Sequence, residues 1–319
     1  MTHQRGSSRL RSFVSAVLVI VGVLALPLGL VANWAQNTLV STDGFVTTLA
    51  PLAQDPAVHT LIVQQGSKAI LDRTDLSQVD PDATHQLNSS GLPATIRDAL
   101  QAQLAQSILN AQNLLTSQLT ALTSSPDFDA VWRQVLTSSH EQAIRTLDGE
   151  QLPAGKQASN GAFGVQVAPI AVALKARVAA QNPILGALVP TISYTVAVTP
   201  AHTVDSLRPG YRLIRVLSPW ALFAALACLA LGLLLARHRA RTLVVMAVVL
   251  LILTGFVTLA PGAVAWVFAG APGESMVLIV LDTVSTSIRA AMIPWLIGMG
   301  AALVVGIVAA IIARRRQAA

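Results

Sequence analysis

Four histidines, His59, His85, His140 and His202, are the residues best suited to acid–base or metal chemistry in the middle of the chain. His140-Glu141 begins like the zinc pattern H-E-x-x-H, where two histidines one helical turn apart share a metal and the glutamate acts as base. Ile144 stands at the second ligand position, which breaks the pattern. Asp80-Pro81-Asp82 with His85 places carboxylates near an imidazole, but the spacing fits no calcium loop and reads as a turn. There is no G-x-S-x-G elbow, no P-loop and no S-x-x-K. Leu92-Pro93-Ala94-Thr95 resembles a sortase signal, yet Ile96 replaces the glycine and no apolar tail follows. These residues point to no catalytic, cofactor or metal site. The chain reads as non-enzymatic; a hydrolase using His140 or Asp82 is the weakest of three functional readings.

The elements that would position such groups are dominated by membrane-length runs. The chain has 319 residues, of which 53% are hydrophobic and 11% charged. A soluble protein carries about 25% charged residues. A hydrocarbon core about 30 Å thick takes about 20 helical residues. Four runs satisfy this without a charged residue: 13–32, 217–236, 242–269 and 290–313. The first follows Arg5, Arg9 and Arg11 and is longer than the apolar region of a signal peptide, so it reads as a retained anchor helix. Coupled transporters place ionisable residues inside the bilayer. These runs hold only Cys228, Thr254, Thr258 and similar small polar groups, which argues against ion-coupled transport.

Arginines set the expected orientation, because positive charge marks the cytoplasmic side. Arg5, Arg9 and Arg11 precede the first run, Arg237, Arg239 and Arg241 separate the second from the third, and Arg314, Arg315 and Arg316 follow the fourth. With four spans all three clusters fall on one side. Residues 1–12, 237–241 and 314–319 are then cytoplasmic, and 33–216 forms one large extracytoplasmic domain. Residues 270–289 form a smaller outer loop and helix. Every acidic residue, from Asp43 to Asp282, falls on the outer side, as do Trp34, Trp220, Trp266 and Trp295 near helix ends. The large loop is close to neutral, with eleven basic and thirteen acidic residues. The net charge of +6 therefore comes from the short cytoplasmic clusters, which suit anionic lipid headgroups and not nucleic acid. Arg237, Arg239, Arg241, Arg314, Arg315 and Arg316 are the expected lipid-contact and topology residues. Such short segments leave no room for a cytoplasmic effector domain.

The outer domain reads as mostly helical with a small β-sheet. Cys228 is the only cysteine, so no disulfide can hold the domain together. The first helix extends to about Val40, and Ser41-Thr42-Asp43-Gly44 is a break and cap. Phe45–Gln54 is a short helix. Asp55-Pro56 caps the next, which runs to about Leu71. A long helix over 93–124 carries Ile96, Leu100, Leu104, Ile108, Leu115, Leu119 and Leu122 at helical spacing. No charge follows Asp98 until Asp127, so its other face, with Gln103, Gln106, Gln112 and Gln118, is either a solvated surface or a contact for a partner or a second copy. Ser125-Pro126 reads as a further cap, Trp132 and Leu136 as core, and Gly149 as the helix stop. Asn160-Gly161 signals a hairpin, Phe163, Val165 and Val167 alternate, and Ile192–Val198 reads as a strand. Three short strands are expected. Pro261-Gly262 should end or kink the third span, and 275–289 should be an outer extension of the fourth.

Small residues recur every four positions in two spans. Ala224, Cys228, Gly232 and Ala236 do so in the second, and Gly298, Ala302, Gly306 and Ala310 in the fourth. Such stripes let helices approach closely. Ala224, Cys228, Gly232, Gly298, Ala302 and Gly306 are expected to pack these two helices together, or either against another copy.

Asp43-Gly44-Phe45-Val46, Ala50-Pro51-Leu52-Ala53 and Asp55-Pro56-Ala57-Val58, with Trp132, His140, Leu147 and Gly149 later, resemble segments of uncharacterised actinobacterial integral membrane proteins. Ser41 stands where that family would carry an acidic residue. The resemblance implies one helix, a large outer domain and three further helices, and brings no activity or catalytic residue. The leading functional reading is a cell-envelope protein that presents its outer domain to a protein partner, a ligand or another copy. The alternative is an accessory or sensory subunit of a membrane complex.

Overall fold

The computed structural model describes residues 3–71, 93–150, 164–181, 195–197, 203–268 and 274–318. They form two compact units, one of Met1–Thr48 with Leu207–Ala319 and one of Leu49–Ser206. The fold is mainly α.

The first unit contains the membrane-length helices. Helix α1 runs His3–Ala35 and continues as a π turn, Gln36–Val40, before α2, Thr42–Leu49, whose last residue belongs to the second unit. After the second unit come α7 (Thr203–Leu235), α8 (Arg239–Phe268) and α9 (Glu274–Ala318); α3–α6 lie between and are described below. Four stretches are long and apolar enough to cross a membrane: Leu10–Val40, Val204–Leu235, Arg239–Ala260 and Ile279–Arg316. Their interior is one cluster built from Val23, Leu26 and Leu30 of α1, Leu229 of α7, Leu250 of α8 and Met292 of α9. Their outward faces are equally apolar. Phe13, Val17, Ile20, Leu24 and Leu28 form an exposed row on α1, as do Ile252, Phe256 and Leu259 on α8. Phe256 is 74% exposed, and a continuous row of this kind is unfavourable in water but suits lipid tails.

One expectation about the spans changes in detail and one holds. Pro261 does not end the third span, because α8 continues to Phe268. The expected outer extension at 275–289 runs on into the fourth span as one helix of 45 residues, about 68 Å long.

The second unit begins with a 3-10 turn, Ala50–Gln54, followed by α3 (Pro56–Leu71), α4 (Ala94–Thr123), α5 (Phe128–Asp148), strand β1 (Gly164–Gln166), α6 (Ala168–Gln181) and strand β2 (Thr195–Ala197). Helix α3 packs on α4, and α5 packs on the 3-10 turn, β1 and α6. Leu119, Phe128, Val135 and Leu174 are the most deeply buried side chains. Asp55 caps α3 through Oδ1, which accepts from the Ala57 N–H at 2.8 Å. Ser125 does not cap α5. Its hydroxyl donates to Leu122 C=O at 2.7 Å, closing the end of α4, and α5 starts at Phe128. Gly149 ends α5 at φ 90°, a left-handed position where a Cβ is strained.

The expected small β-sheet is not supported. Among the described residues β1 and β2 pair antiparallel over three positions, Gly164 with Ala197, Val165 with Val196 and Gln166 with Thr195. Val167 leaves the ladder because α6 begins at Ala168, so the pairing is a clip and not a sheet layer. The hairpin signal at Asn160-Gly161 lies outside the described residues.

Candidate functional site

The histidines singled out in the sequence have structural surroundings. The His59 Nε2–H donates to Ala53 C=O, and its ring meets Phe128 edge-on at 5.5 Å. Phe128 stacks with Trp132 at 6.3 Å, and Trp132 Nε1–H donates to Leu49 C=O at 3.1 Å. The 3-10 turn and the start of α3 thus sit on the buried face of α5. His140 lies on that same face, 5% exposed. Asp80, Asp82, His85 and His202 lie outside the described residues. Among the described residues no group of three metal-ligating side chains comes together.

The basic residues share one end of the helix bundle. Arg11 Nε–H donates to Leu235 C=O at 3.2 Å, and an Arg239 guanidinium N–H donates to Leu234 C=O at 3.1 Å. Both bonds satisfy carbonyls that a helix end leaves without partners, at the negative pole of the helix dipole. Gly306 faces Leu243 and Val244. Arg314–Arg316, about two turns further along α9, therefore extend past the start of α8. Arg237, Arg241, Arg314, Arg315 and Arg316 are exposed at this end. Arg239 combines the expected surface position with a capping bond to α7 that its sequence position did not announce.

Within the small-residue stripes, Gly232 and Gly306 pack, each against a helix other than the one expected within the chain. A Cβ on Gly232 would lie 2.8 Å from Val19 Cγ2 and 3.1 Å from Val19 N, so α7 meets the α1 backbone there. Ser15 Oγ–H donates to Gly232 C=O at 2.7 Å across the same contact. Gly306 faces α8. Cys228 is half-buried, Ala302 is half-buried, and Ala224 and Gly298 are exposed; nothing lies within 4 Å of a Cβ placed on Gly298. The sequence reading missed Gly22 and Gly29, seven apart on α1, whose added Cβ atoms would meet Leu229 and the Ala221–Leu222 backbone. Glycine at heptad spacing was the available signal. Thr258 bonds to Thr254 C=O within its helix, as its spacing suggests, whereas the Thr254 hydroxyl crosses to Met299 Sδ at 3.6 Å.

A cleft of about 410 Å³ opens at the other end of the bundle, lined by Asn33 and Gln36 and by Arg215, Ser218, Pro219, Leu222 and Phe223 of α7. Its upper wall is polar and its lower wall apolar. Gln36 Oε1 is buried without a hydrogen-bond partner. Tyr211 steadies Arg215: a guanidinium N–H donates to its hydroxyl at 3.0 Å, and the ring centroid lies 5.6 Å from the guanidinium carbon. The cleft stands about 30 Å along α7 from the capped carbonyl of Leu235, the thickness of a hydrocarbon core.

Comparisons with protein-family models, curated proteins and solved structures give no significant match.

Proposed function

We propose that this is a multi-pass cell-envelope membrane protein, non-enzymatic, that presents a helical outer domain to a protein partner. In this reading both termini and the Arg237–Arg241 turn are cytoplasmic, and Leu49–Ser206 stands outside. Four membrane-length helices with apolar outward faces and one shared basic end support the placement. The resemblance to actinobacterial integral membrane proteins belongs to the same proposal.

The observation that carries partner binding is the free face of α4. Ala102, Gln106, Leu109, Asn113, Ser117 and Thr120 recur at helical spacing and are all exposed. No charge interrupts α4 after Asp98, and Leu109 is 51% exposed. Ile96, expected in the buried stripe, is also exposed, so burial on α4 is best marked near its C-terminal end by Leu119 and Leu122. A solvated helix face ordinarily carries charges. Uncharged amides with exposed leucines cost less to desolvate and match the charge-depleted centre of an interface.

The test is cross-linking in intact membranes from Gln106→Cys in a Cys228→Ala background, with Glu141→Cys on the exposed face of α5 as control. A discrete adduct from position 106 alone is expected, at twice the chain mass for a second copy and at another mass for a different protein. No adduct, or equal adducts from both positions, overturns the reading.

A further inference from the structure

We propose that α7 holds one anionic phospholipid along a line of side chains headed by Arg212 and Arg215, in the leaflet opposite the arginine clusters. The proposal rests on the four helices being membrane spans and is independent of the partner reading for α4.

The line changes character at the level where the apolar run begins. At about 100° of turn per residue, Arg212, Arg215, Pro219, Phe223 and Leu226 fall within about 80° of one another. Arg212 and Arg215 are exposed, and Arg215 stands two residues before the apolar run. Pro219 and Phe223 line the cleft beneath them, and Phe223 and Leu226 are exposed. Trp220, beside this line, is 74% exposed at the depth where indoles favour headgroups. Two cations above an open apolar wall match an amphiphile with a negative head and an apolar tail.

Charge and depth define the headgroup. A guanidinium presents a planar fork that suits phosphate oxygens. Tyr211 steadies Arg215, which lowers the ordering cost of binding. Arg212 lies about 4.5 Å further along the axis, beyond the level of Arg215. A zwitterionic headgroup carries its own ammonium outward, toward Arg212, and gains less from the pair than a headgroup of net negative charge. Arg208 continues the line, but Asp205, one turn beyond it on the same face, offsets its charge. A soluble anion would use the arginines and leave the apolar wall unused.

The test is photo-cross-linking of the full chain in nanodiscs of equal phosphatidylglycerol and phosphatidylcholine with matched acyl chains. A benzophenone side chain at position 223 samples the line, and one at position 256 samples bulk lipid, because Phe256 is 74% exposed on α8. Recovery of the chain in the nanodisc fraction tests the membrane reading separately. The glycerol-to-choline lipid ratio of adducts at 223 is expected to exceed that at 256 about tenfold, with Arg212→Gln and Arg215→Gln each lowering it about threefold, in the range for one cation near anionic lipid. The double variant should return the ratio to that at 256. Arg316→Gln, at the other end of the bundle, should leave it unchanged. Arg212→Gln, which spares the Tyr211 bond, decides the matter if Arg215→Gln lowers the melting temperature. Equal ratios at 223 and 256, or equal losses from Arg316→Gln and Arg212→Gln, overturn the proposal. Absence of lipid adducts at 223 alone shows a protein segment covering the line and overturns it too. Loss of the enrichment on adding inorganic phosphate at constant ionic strength assigns the arginines to a soluble anion and overturns the lipid reading.

Discussion

At the scale of single residues, Gly44 is the position most tightly defined by its surroundings. The Ser41 N–H donates to Gln36 C=O at 2.9 Å, closing the wide π turn, and the Gly44 N–H reaches Ser41 Oγ at 3.4 Å to start α2. This sharp reversal brings the Gly44 Cα against Asn37, and an added Cβ would overlap the Asn37 carbonyl oxygen. The clash is with backbone, which cannot swing away as a side chain end can. Gly44→Ala is therefore expected to destabilise the fold by about 1–3 kcal/mol, the range for forced backbone shifts. Thermal unfolding in detergent would read this, and an unchanged melting temperature would show that the turn yields freely. The sequence reading of Ser41-Thr42-Asp43-Gly44 finds the break and the cap, but not why glycine is needed. The reason lies in the π turn, which no local residue pattern announces.

Among elements, the informative contact is α1 against α7. Gly22 and Gly29 on one helix and Gly232 on the other bring two backbones together, and the Ser15 hydroxyl bonds across the contact. In lipid this packing replaces the hydrophobic drive that water would supply. Gly29→Leu must push against the Ala221–Leu222 backbone and is expected to lower the melting temperature and loosen the bundle. Gly298→Leu meets nothing within 4 Å and is expected to leave the melting curve unchanged. If Gly298→Leu instead changed the oligomer state on size-exclusion chromatography, the fourth-helix stripe would face another copy. Spans were legible in the sequence because hydropathy is a local property. The helix partners were not, since small residues at four-residue spacing mark a close approach without naming the other side. The β-clip was only partly legible for a similar reason: Val165 and Val167 alternate, but the start of α6 removes the second from the ladder. The cleft was hidden altogether. Gln36 and Arg215 are separated by the whole second unit in the chain, and each alone is an ordinary polar residue beside a membrane run.

For the whole molecule, the argument turns on charge at the two ends of the bundle. Arg11, Arg239 and the exposed Arg237, Arg241 and Arg314–Arg316 gather at one end. Exposed acidic residues such as Asp43, Asp205 and Asp282 flank the spans at their other ends. In the proposed orientation each of these cations gains about 1 kcal/mol from anionic lipid of the cytoplasmic leaflet. Two of the arginines add a structural reason to stay, because they also close the carbonyl end of α7. In a Cys228→Ala background, a single cysteine at Glu141 on the exposed face of α5 should react in intact cells with a membrane-impermeant maleimide. A cysteine at His238, in the turn between α7 and α8, should react only after the membrane is opened. The opposite pattern would place Leu49–Ser206 in the cytoplasm, where the α4 face would have to find its partner instead. Reversing Arg237, Arg239 and Arg241 to glutamate removes the orienting charge and the Arg239 cap together. The expected result is a mixed population in which both cysteines become partly accessible, with loss of the clean labelling difference as the measure of how much of the topology these three residues hold.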